Sequence, residues 1–230
     1  MTSTDPPVLL VHGFASSAEH NWRQPGWLDL LADCGRETVA VDLPGHGTAA
    51  RPAAPDGYHN IEAHVAAAVE GRKPLDAIGF SAGAHVLLRL AADQPDRFRR
   101  LALLGIGRGV LTPADPEPII TALTGDPDPE NVPGMVFRRL ADGPGNDRDA
   151  LIAFLRRPQR PLTQADLARI TTTQVLVVLG DQDPAGTLTP GDGLVAALPD
   201  ARLVTLRGVD HFGTPADVRC MQAVLGFLGC

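Results

Sequence analysis

The 230-residue sequence predicts an α/β protein with a mostly parallel sheet of about six strands, flanked by helices and carrying a helical insertion. Two observations support this fold class. Short continuous runs of Val, Leu and Ile, typical of strands covered on both faces, alternate with segments of helical spacing. Such alternation brings successive strands together in the same direction, so it indicates a parallel sheet. The insertion interrupts the alternation at residues 108–170.

The predicted elements follow one another in order along the chain. The strand segments are 8–13, the first part of 37–47, 75–80, 100–107, 174–180 and 201–208. The helix segments between and after them are 27–35, 60–71, the segment that begins after Ser81, 191–198 and 215–229.

Residues 108–170 have a different composition from the rest of the chain. Their first part is rich in proline and acidic residues and is incompatible with a central strand. Three short helix-like segments follow at 135–143, 149–157 and 163–170. We therefore expect a core domain of 1–107 and 171–230 with a helical lid insertion at 108–170. Insertions of this length usually have a function, although a purely structural excursion is the alternative.

Composition excludes several classes of protein. A net charge of −7 disfavours a nucleic-acid partner or an anionic membrane surface. The sequence shows no signal-peptide pattern and no apolar run that would span a membrane, so we expect a cytoplasmic protein. Three cysteines at these spacings provide neither a disulfide framework nor a zinc site.

The segment Gly-Phe-Ser-Ala-Gly at 79–83 places Ser81 between a predicted strand and a predicted helix. On such a tight turn the hydroxyl is exposed above the sheet, and the flanking glycines remove side chains that would clash. By composition alone this pattern would occur roughly 0.04 times in such a chain, so it is specific. The turn also places the Ala82 N–H at a helix N-terminus, where an oxyanion is stabilised. We predict that Ser81 is a nucleophile.

A nucleophilic serine needs a base and a carboxylate that orients the base. His211 follows the last strand, so it lies at the same edge of the sheet as Ser81 and is the predicted base. Asp181 and Asp183 both follow the fifth strand, and Pro184 favours Asp183 because it holds that residue in an extended conformation. Asp210 adjoins the histidine and is a weaker candidate, because neighbouring side chains seldom face each other.

Other residues have supporting roles in this interpretation. Phe14, after the first strand, is expected to provide a second N–H for the oxyanion, with His12 bracing its loop. His85 is interpreted as a packing or supporting group of the serine helix, and His20 as a residue near the mouth that could contact substrate.

Five motifs resemble those of the α/β-hydrolase superfamily, in its order and at its usual intervals. They are HGF at 12–14, DLPGHG at 42–47, GFSAG at 79–83, GDQD at 180–183 and DH at 210–211. The resemblance implies Ser81 as nucleophile, Asp183 as acid, His211 as base, and Phe14 and Ala82 as oxyanion donors. It also implies that the usual N-terminal antiparallel hairpin is absent, because the chain starts at the third strand of the family.

The resemblance implies a serine hydrolase that cleaves a carboxylic ester or thioester through an acyl-enzyme, with no metal or organic cofactor. The same triad in related proteins also serves C–C bond hydrolases, cofactor-free haloperoxidases, a lyase of menaquinone synthesis and non-enzymatic receptors. The expected partner is a small ester or thioester with an apolar acyl part, and the oligomeric state is open. The apolar side chains behind this expectation, which could instead anchor the lid, are Phe137, Leu140, Leu151, Ile152 and Phe154.

Overall fold

The structure is a computed structural model in which six parallel strands form one sheet. The residues it describes are 5–72, 74–112, 115–125, 128, 130–143, 145–187 and 190–230. The strands are β1 Val8–Val11, β2 Thr38–Val41, β3 Leu75–Phe80, β4 Phe98–Leu104, β5 Gln174–Gly180 and β6 Ala201–Leu206. All six predicted strands are present, so the predicted α/β class is confirmed.

The strand order in the sheet is β2-β1-β3-β4-β5-β6, and all neighbouring pairs are parallel. Strand β2 pairs with one side of β1, and the chain then crosses over so that β3 pairs with the other side of β1. Because the winding direction reverses there, a crevice opens beyond the carboxyl ends of the central strands. The loops that carry the predicted site residues follow β1, β3, β5 and β6 at this edge.

Helices cover both faces of the sheet, and the alternation of side chains along β1 shows how. Val8 and Leu10 face one apolar cluster, whereas Leu9 and Val11 face the other, as the period of two in a strand requires. The helices are α1 Trp27–Asp33, α2 Ile61–Ala67, α3 Ala82–Asp93, α4 Glu117–Thr124, α5 Val132–Ala141, α6 Arg148–Leu155, α7 Gln164–Ala168, α8 Pro184–Thr187, α9 Gly191–Val195 and α10 Val218–Leu228. Side chains of α1 and α10 join the first cluster, and those of α2, α3, α7 and α9 join the second. Of the helices described, α3 has 12 residues, and none has the length and apolarity needed to cross a bilayer.

Between β4 and β5 the described residues form four α-helices, α4 to α7, whereas the sequence pattern predicted three. The helix that was missed is α4. It starts at Glu117 within the proline-rich stretch, and Pro118 lies in its first turn, where proline is compatible with a helix because that turn needs no N–H donors. Helix α7 starts with a capping box formed by Thr163 and Asp166. Residues 113, 114, 126, 127, 129 and 144 of the predicted lid lie outside the described part.

A small apolar cluster joins these helices to the loop after β1. It contains Ala15 of that loop, Ile120 and Leu123 of α4, and Leu151 and Ile152 of α6. Asn146 adds a hydrogen bond, donating from Nδ2 to the Ala15 carbonyl at 3.1 Å. The helices between β4 and β5 are thereby held over the carboxyl edge of the sheet.

Candidate active site

Ser81 occupies a strained turn between β3 and α3. Its φ of 50° and ψ of −113° are unusual for a residue with a side chain, and such conformations typically cost about 1–3 kcal/mol. A Cβ at Gly79 would lie 2.8 Å from the Ala84 nitrogen, and one at Gly83 would lie 2.2 Å from the Val11 carbonyl oxygen. Both glycines are therefore required by close backbone approach, as the sequence predicted.

The structure brings His211 between Ser81 and Asp183. Nε2 of His211 lies 3.0 Å from Ser81 Oγ, and Nδ1 lies 2.9 Å from Asp183 Oδ2. This network assigns the proton on Nδ1 to the bond with the carboxylate, so that Nε2 accepts the hydrogen bond from the serine hydroxyl. Asp183 is 1% exposed, and its Oδ1 accepts a hydrogen bond from the Ala185 N–H at 2.8 Å. The buried carboxylate is thus held on both of its oxygens.

The two other aspartates considered from the sequence are used elsewhere. Asp181 Oδ1 accepts a hydrogen bond from the Gly208 N–H at 2.7 Å, and Asp210 Oδ1 accepts one from the Gly213 N–H at 2.7 Å. Both stabilise local loop structure and are exposed. Of these three aspartates, the structure places Asp183 alone against the His211 ring.

The predicted oxyanion donors, the backbone N–H groups of Phe14 and Ala82, belong to two loops that pack together beside Ser81. Ala82 is the first residue of α3, so its N–H lies at the positive end of the helix dipole. The loop of Phe14 approaches so closely that a Cβ on Gly13 would lie 2.8 Å from the Phe80 ring and 3.4 Å from Ser81 Cβ. Within the described part of the chain, neither amide is paired with an acceptor.

His12 braces the loop of Phe14, as predicted. Its Nδ1 donates to the Gly13 carbonyl at 2.7 Å, and its Nε2 accepts from the Leu43 N–H at 3.0 Å. Burial lowers the pKa of His12 to about 4, so the ring is neutral near pH 7 and retains an acceptor nitrogen for Leu43. A buried neutral histidine thus ties the loop after β1 to the loop after β2.

Two cavities meet at Ser81. One of about 250 Å³ lies on the side of the His211 ring, and one of about 490 Å³ lies on the other side, above α3. Phe14, Ser81 and Phe137 line both cavities. His20 reaches the smaller cavity, consistent with its predicted place near the mouth.

The predicted apolar lid residues divide into two groups. Phe137 and Phe154 line the larger cavity, and Leu140 lines the smaller one. Leu151 and Ile152 pack instead into the small apolar cluster with α4, so they anchor the insertion and line neither of the two cavities.

The larger cavity also carries polar and charged side chains that the sequence interpretation did not assign to it. His85 lies one turn into α3 from Ser81 and lines this cavity, which is compatible with its interpretation as a supporting group of the serine helix. Desolvation by the surrounding protein, with a smaller effect of Arg157 and His211, lowers the pKa of His85. Its spacing of four residues from the serine was the signal that could have placed it here. Glu62 and Arg157 line the same cavity, and nothing in the sequence pattern pointed to either.

Comparison with known proteins gives the same fold. A family model described as alpha/beta hydrolase fold matches residues 6–134, more than half of the chain. A putative non-heme bromoperoxidase from Mycobacterium tuberculosis superposes with a TM-score of 0.75 at 18% identity, covering 100% of this chain and 93% of that one. The enol-lactonase from Burkholderia xenovorans also gives 0.75, at 20% identity, covering 99% and 93% of the two chains. At these identities the superpositions establish the fold alone.

Curated relatives share part of the sequence. A pimeloyl-[acyl-carrier protein] methyl ester esterase from Nitrosomonas europaea is 30% identical over 81% of this chain and 60% of its own length. A pyrrolizixenacetamide deacetylase from Xenorhabdus hominickii is 35% identical over 44% of this chain and 37% of its own length. The chain thus matches less than two thirds of either relative. Relatives of this kind support a hydrolytic enzyme, and together with the family match they show that the chain belongs to the alpha/beta hydrolase fold family.

Proposed function

We propose that the protein is a serine hydrolase that cleaves a carboxylic ester or thioester through an acyl-enzyme. The observation that carries this proposal is the continuous hydrogen-bond chain from Ser81 Oγ through His211 to Asp183, with distances of 3.0 and 2.9 Å. A serine hydroxyl is a weak nucleophile unless a base removes its proton, and this chain supplies the base together with the carboxylate that orients it.

In the first half of the reaction, Ser81 Oγ attacks the substrate carbonyl carbon while His211 Nε2 takes the hydroxyl proton. The oxygen of the tetrahedral intermediate receives hydrogen bonds from the Phe14 and Ala82 N–H groups. His211 then gives its proton to the leaving alcohol or thiol, and the acyl group remains on Ser81. In the second half, His211 takes a proton from water, the hydroxide attacks the acyl-enzyme, and the acid departs as Ser81 regains its proton.

This chemistry assigns the two cavities. The leaving group has to lie next to His211 Nε2, because that nitrogen protonates it. The smaller cavity is lined by His211 and Phe212, so it holds the alcohol or thiol part. The larger cavity is lined by Ala82 and His85, so it holds the acyl part. The relatives named above as an esterase and a deacetylase agree with acyl transfer to water as the reaction type.

The test combines covalent labelling with kinetics. A fluorophosphonate probe should label the wild-type protein at Ser81, and Ser81→Ala should lose the label and essentially all ester hydrolysis while keeping the wild-type circular dichroism spectrum. Ser16→Ala is the matched control, because Ser16 also lines the smaller cavity, and this variant should keep the label.

A panel of substrates then identifies the reaction. Short-chain nitrophenyl esters, an acyl-CoA thioester and a vinylogous diketone are assayed with the same protein. Hydrolysis of esters or thioesters supports the proposal, whereas turnover of the diketone alone would replace it by C–C bond hydrolysis. Turnover by purified Ser81→Ala within about tenfold of wild type would overturn the mechanism.

A further inference from the structure

Three arginines line the larger cavity, and they differ in their partners. Arg89 forms ion pairs with Asp166 at 3.0 Å and with Asp93 at 3.5 Å, and Arg160 also pairs with Asp93. Arg157 has no carboxylate of the described residues within ion-pair distance. Among the residues that the structure describes, Arg157 is thus the cavity arginine that forms no ion pair.

The Arg157 side chain is nevertheless held in place. Its guanidinium lies over the Phe154 ring, 4.0 Å from the ring centroid, and Nη1 donates a hydrogen bond to the Phe154 carbonyl at 2.7 Å. A guanidinium has five N–H donors, and this carbonyl uses one of them. The remaining donors are available to a molecule bound in the cavity that Arg157 lines.

The electrostatic environment favours an anion at this position. Arg157 is half-buried, and desolvation by the surrounding protein lowers its pKa, with a smaller opposing effect of Glu62. A partly desolvated charge without a carboxylate in ion-pair contact is costly, so a bound anion stabilises the site. The pKa of His85 in the same cavity is lowered, so the ring is neutral near pH 7 and adds no charge of its own.

We infer that Arg157 binds a carboxylate on the acyl part of the substrate, so that the preferred substrates are monoesters or monothioesters of dicarboxylic acids. This inference rests on the proposed function, because it takes the larger cavity to hold the acyl part. The planar guanidinium can donate two parallel hydrogen bonds to a carboxylate, which an ammonium group in its place would not match. Without the Arg157 guanidinium, a carboxylate in this cavity would lose its hydration with no compensating hydrogen bonds, and a neutral acyl chain would be preferred.

The experiment compares pairs of esters that differ only in the distal group. Monomethyl glutarate is assayed beside methyl pentanoate and dimethyl glutarate, and succinate, adipate and pimelate monoesters define the length that fits. We expect wild-type kcat/KM to be at least about tenfold higher for one of the monoesters than for its neutral counterparts. Equal values, or a preference for the neutral esters along the whole series, would overturn the inference while leaving the proposed function intact.

Variants assign the effect to one side chain. Arg157→Gln should reduce the ratio of anionic to neutral kcat/KM by about tenfold to a hundredfold, and Arg157→Lys should retain part of it. Arg156→Gln is the matched control, since it removes the same charge from the neighbouring exposed residue and should leave the ratio unchanged. Glu62→Gln should raise the ratio, because it removes a carboxylate from the same cavity. A ratio that Arg157→Gln and Arg157→Lys leave at the wild-type value would show that Arg157 only caps the end of α6.

Binding provides a measurement that does not depend on turnover. Glutarate and pentanoate are titrated calorimetrically into wild-type protein and into Arg157→Gln. Tighter binding of glutarate that disappears in the variant supports the inference even if no ester in the panel is hydrolysed, a result that would count against the proposed function alone. Equal affinity for the two acids in wild type would contradict the carboxylate site.

Discussion

The floor and the roof of the candidate active site are built differently. The floor consists of the loops that directly follow the six strands at the carboxyl edge of the sheet, and its groups are held by backbone contacts and short hydrogen bonds, as Asp183 is by His211 and Ala185. The roof consists of the helices between β4 and β5. A small apolar cluster and a hydrogen bond from Asn146 hold these helices over the site. Aromatic rings form much of the contact between them, since Phe14 of the floor packs against Phe137 and Phe154 of the roof.

This difference indicates that the floor carries out the chemistry and that the roof selects the substrate. Bond making and breaking requires atoms placed within a fraction of an ångström, which loops clamped to a parallel sheet provide. Selection among substrates requires a surface of suitable shape and charge, which side chains on short helices provide. Changes in the floor are therefore expected to reduce kcat, whereas changes in the roof are expected to alter KM and substrate preference.

The largest effect should come from the carboxylate of the floor. Asp183→Asn should keep the fold but stabilise the wrong imidazole tautomer, which by analogy with other triads reduces kcat by about 10⁴. Asp181→Asn is the matched control two residues away, and it should retain most of the activity because that side chain binds the Gly208 N–H. Steady-state kinetics of both purified variants measure the difference. The opposite ranking would make Asp181 the acid.

Adding a methyl group beside His211, at Gly105 of the floor, should have the next largest effect on kcat. A Cβ at Gly105, whose φ is +68°, would lie 3.1 Å from His211 Cε1 and 2.8 Å from the Phe80 ring. Gly105→Ala should therefore displace the imidazole and reduce kcat by about tenfold to a hundredfold. Gly71→Ala introduces a similar strain, at φ +74°, with no atom within 4 Å, so it should lower the melting temperature and leave kcat near wild type. Equal kcat in the two variants would show that the His211 position tolerates this contact.

In the roof, truncation of Phe137 should affect recognition more than chemistry. Its ring lines both cavities and packs against Phe14 and Phe212 at centroid distances of 5.6 and 5.7 Å. Phe137→Ala should raise KM for longer acyl chains by about tenfold, the effect of losing part of a large apolar contact. Ile152→Ala, in the small apolar cluster, should reduce stability and leave the acyl-chain preference unchanged. A uniform fall in kcat across all esters would mean that the roof also positions the catalytic groups.

The smallest effect on activity concerns the contact between floor and roof, which contributes to stability in a way that depends on pH. The His46 ring packs against the Phe154 ring with a centroid distance of 4.8 Å. Burial, with a further effect of His12, lowers the pKa of His46 to about 3. Between pH 6.5 and about 3 the unfolded chain binds a proton at this residue that the folded chain excludes. The stability contributed by the neutral ring is thus fully present above pH 6.5 and is lost by about 1.4 kcal/mol per pH unit as the pH falls.

His46→Leu tests this dependence. Urea unfolding of wild type and variant between neutral pH and about pH 5 should show a smaller loss of unfolding free energy in the variant. Parallel pH profiles of the two proteins would show that His46 is not the group that excludes the proton.

The sequence alone was sufficient to predict most of the residues that form the floor. The spacing of Gly79 and Gly83 around Ser81 follows from close backbone approach, which leaves no room for a Cβ whatever the surrounding sequence. Parallel strands bring their carboxyl ends to one edge, so residues that follow different strands, such as Asp183 and His211, converge there despite their separation in the chain. The strand segments could be predicted for a similar reason, because burial on both faces requires continuous apolar runs.

The helices of the roof and the contacts of their side chains could be determined only from the tertiary structure. Helix α4 begins in a proline-rich stretch whose composition resembles a loop, and its apolar residues are recognisable as a helical face only when they pack against α6 and Ala15. The same packing determines that Leu151 and Ile152 anchor the insertion while Phe154 lines the cavity. Among the described residues no carboxylate lies in ion-pair contact with Arg157, an arrangement that depends on how neighbouring helices pack and that no pattern of residues along the chain specifies. Periodicity predicts which residues share a face of a helix, but what that face contacts depends on distant segments.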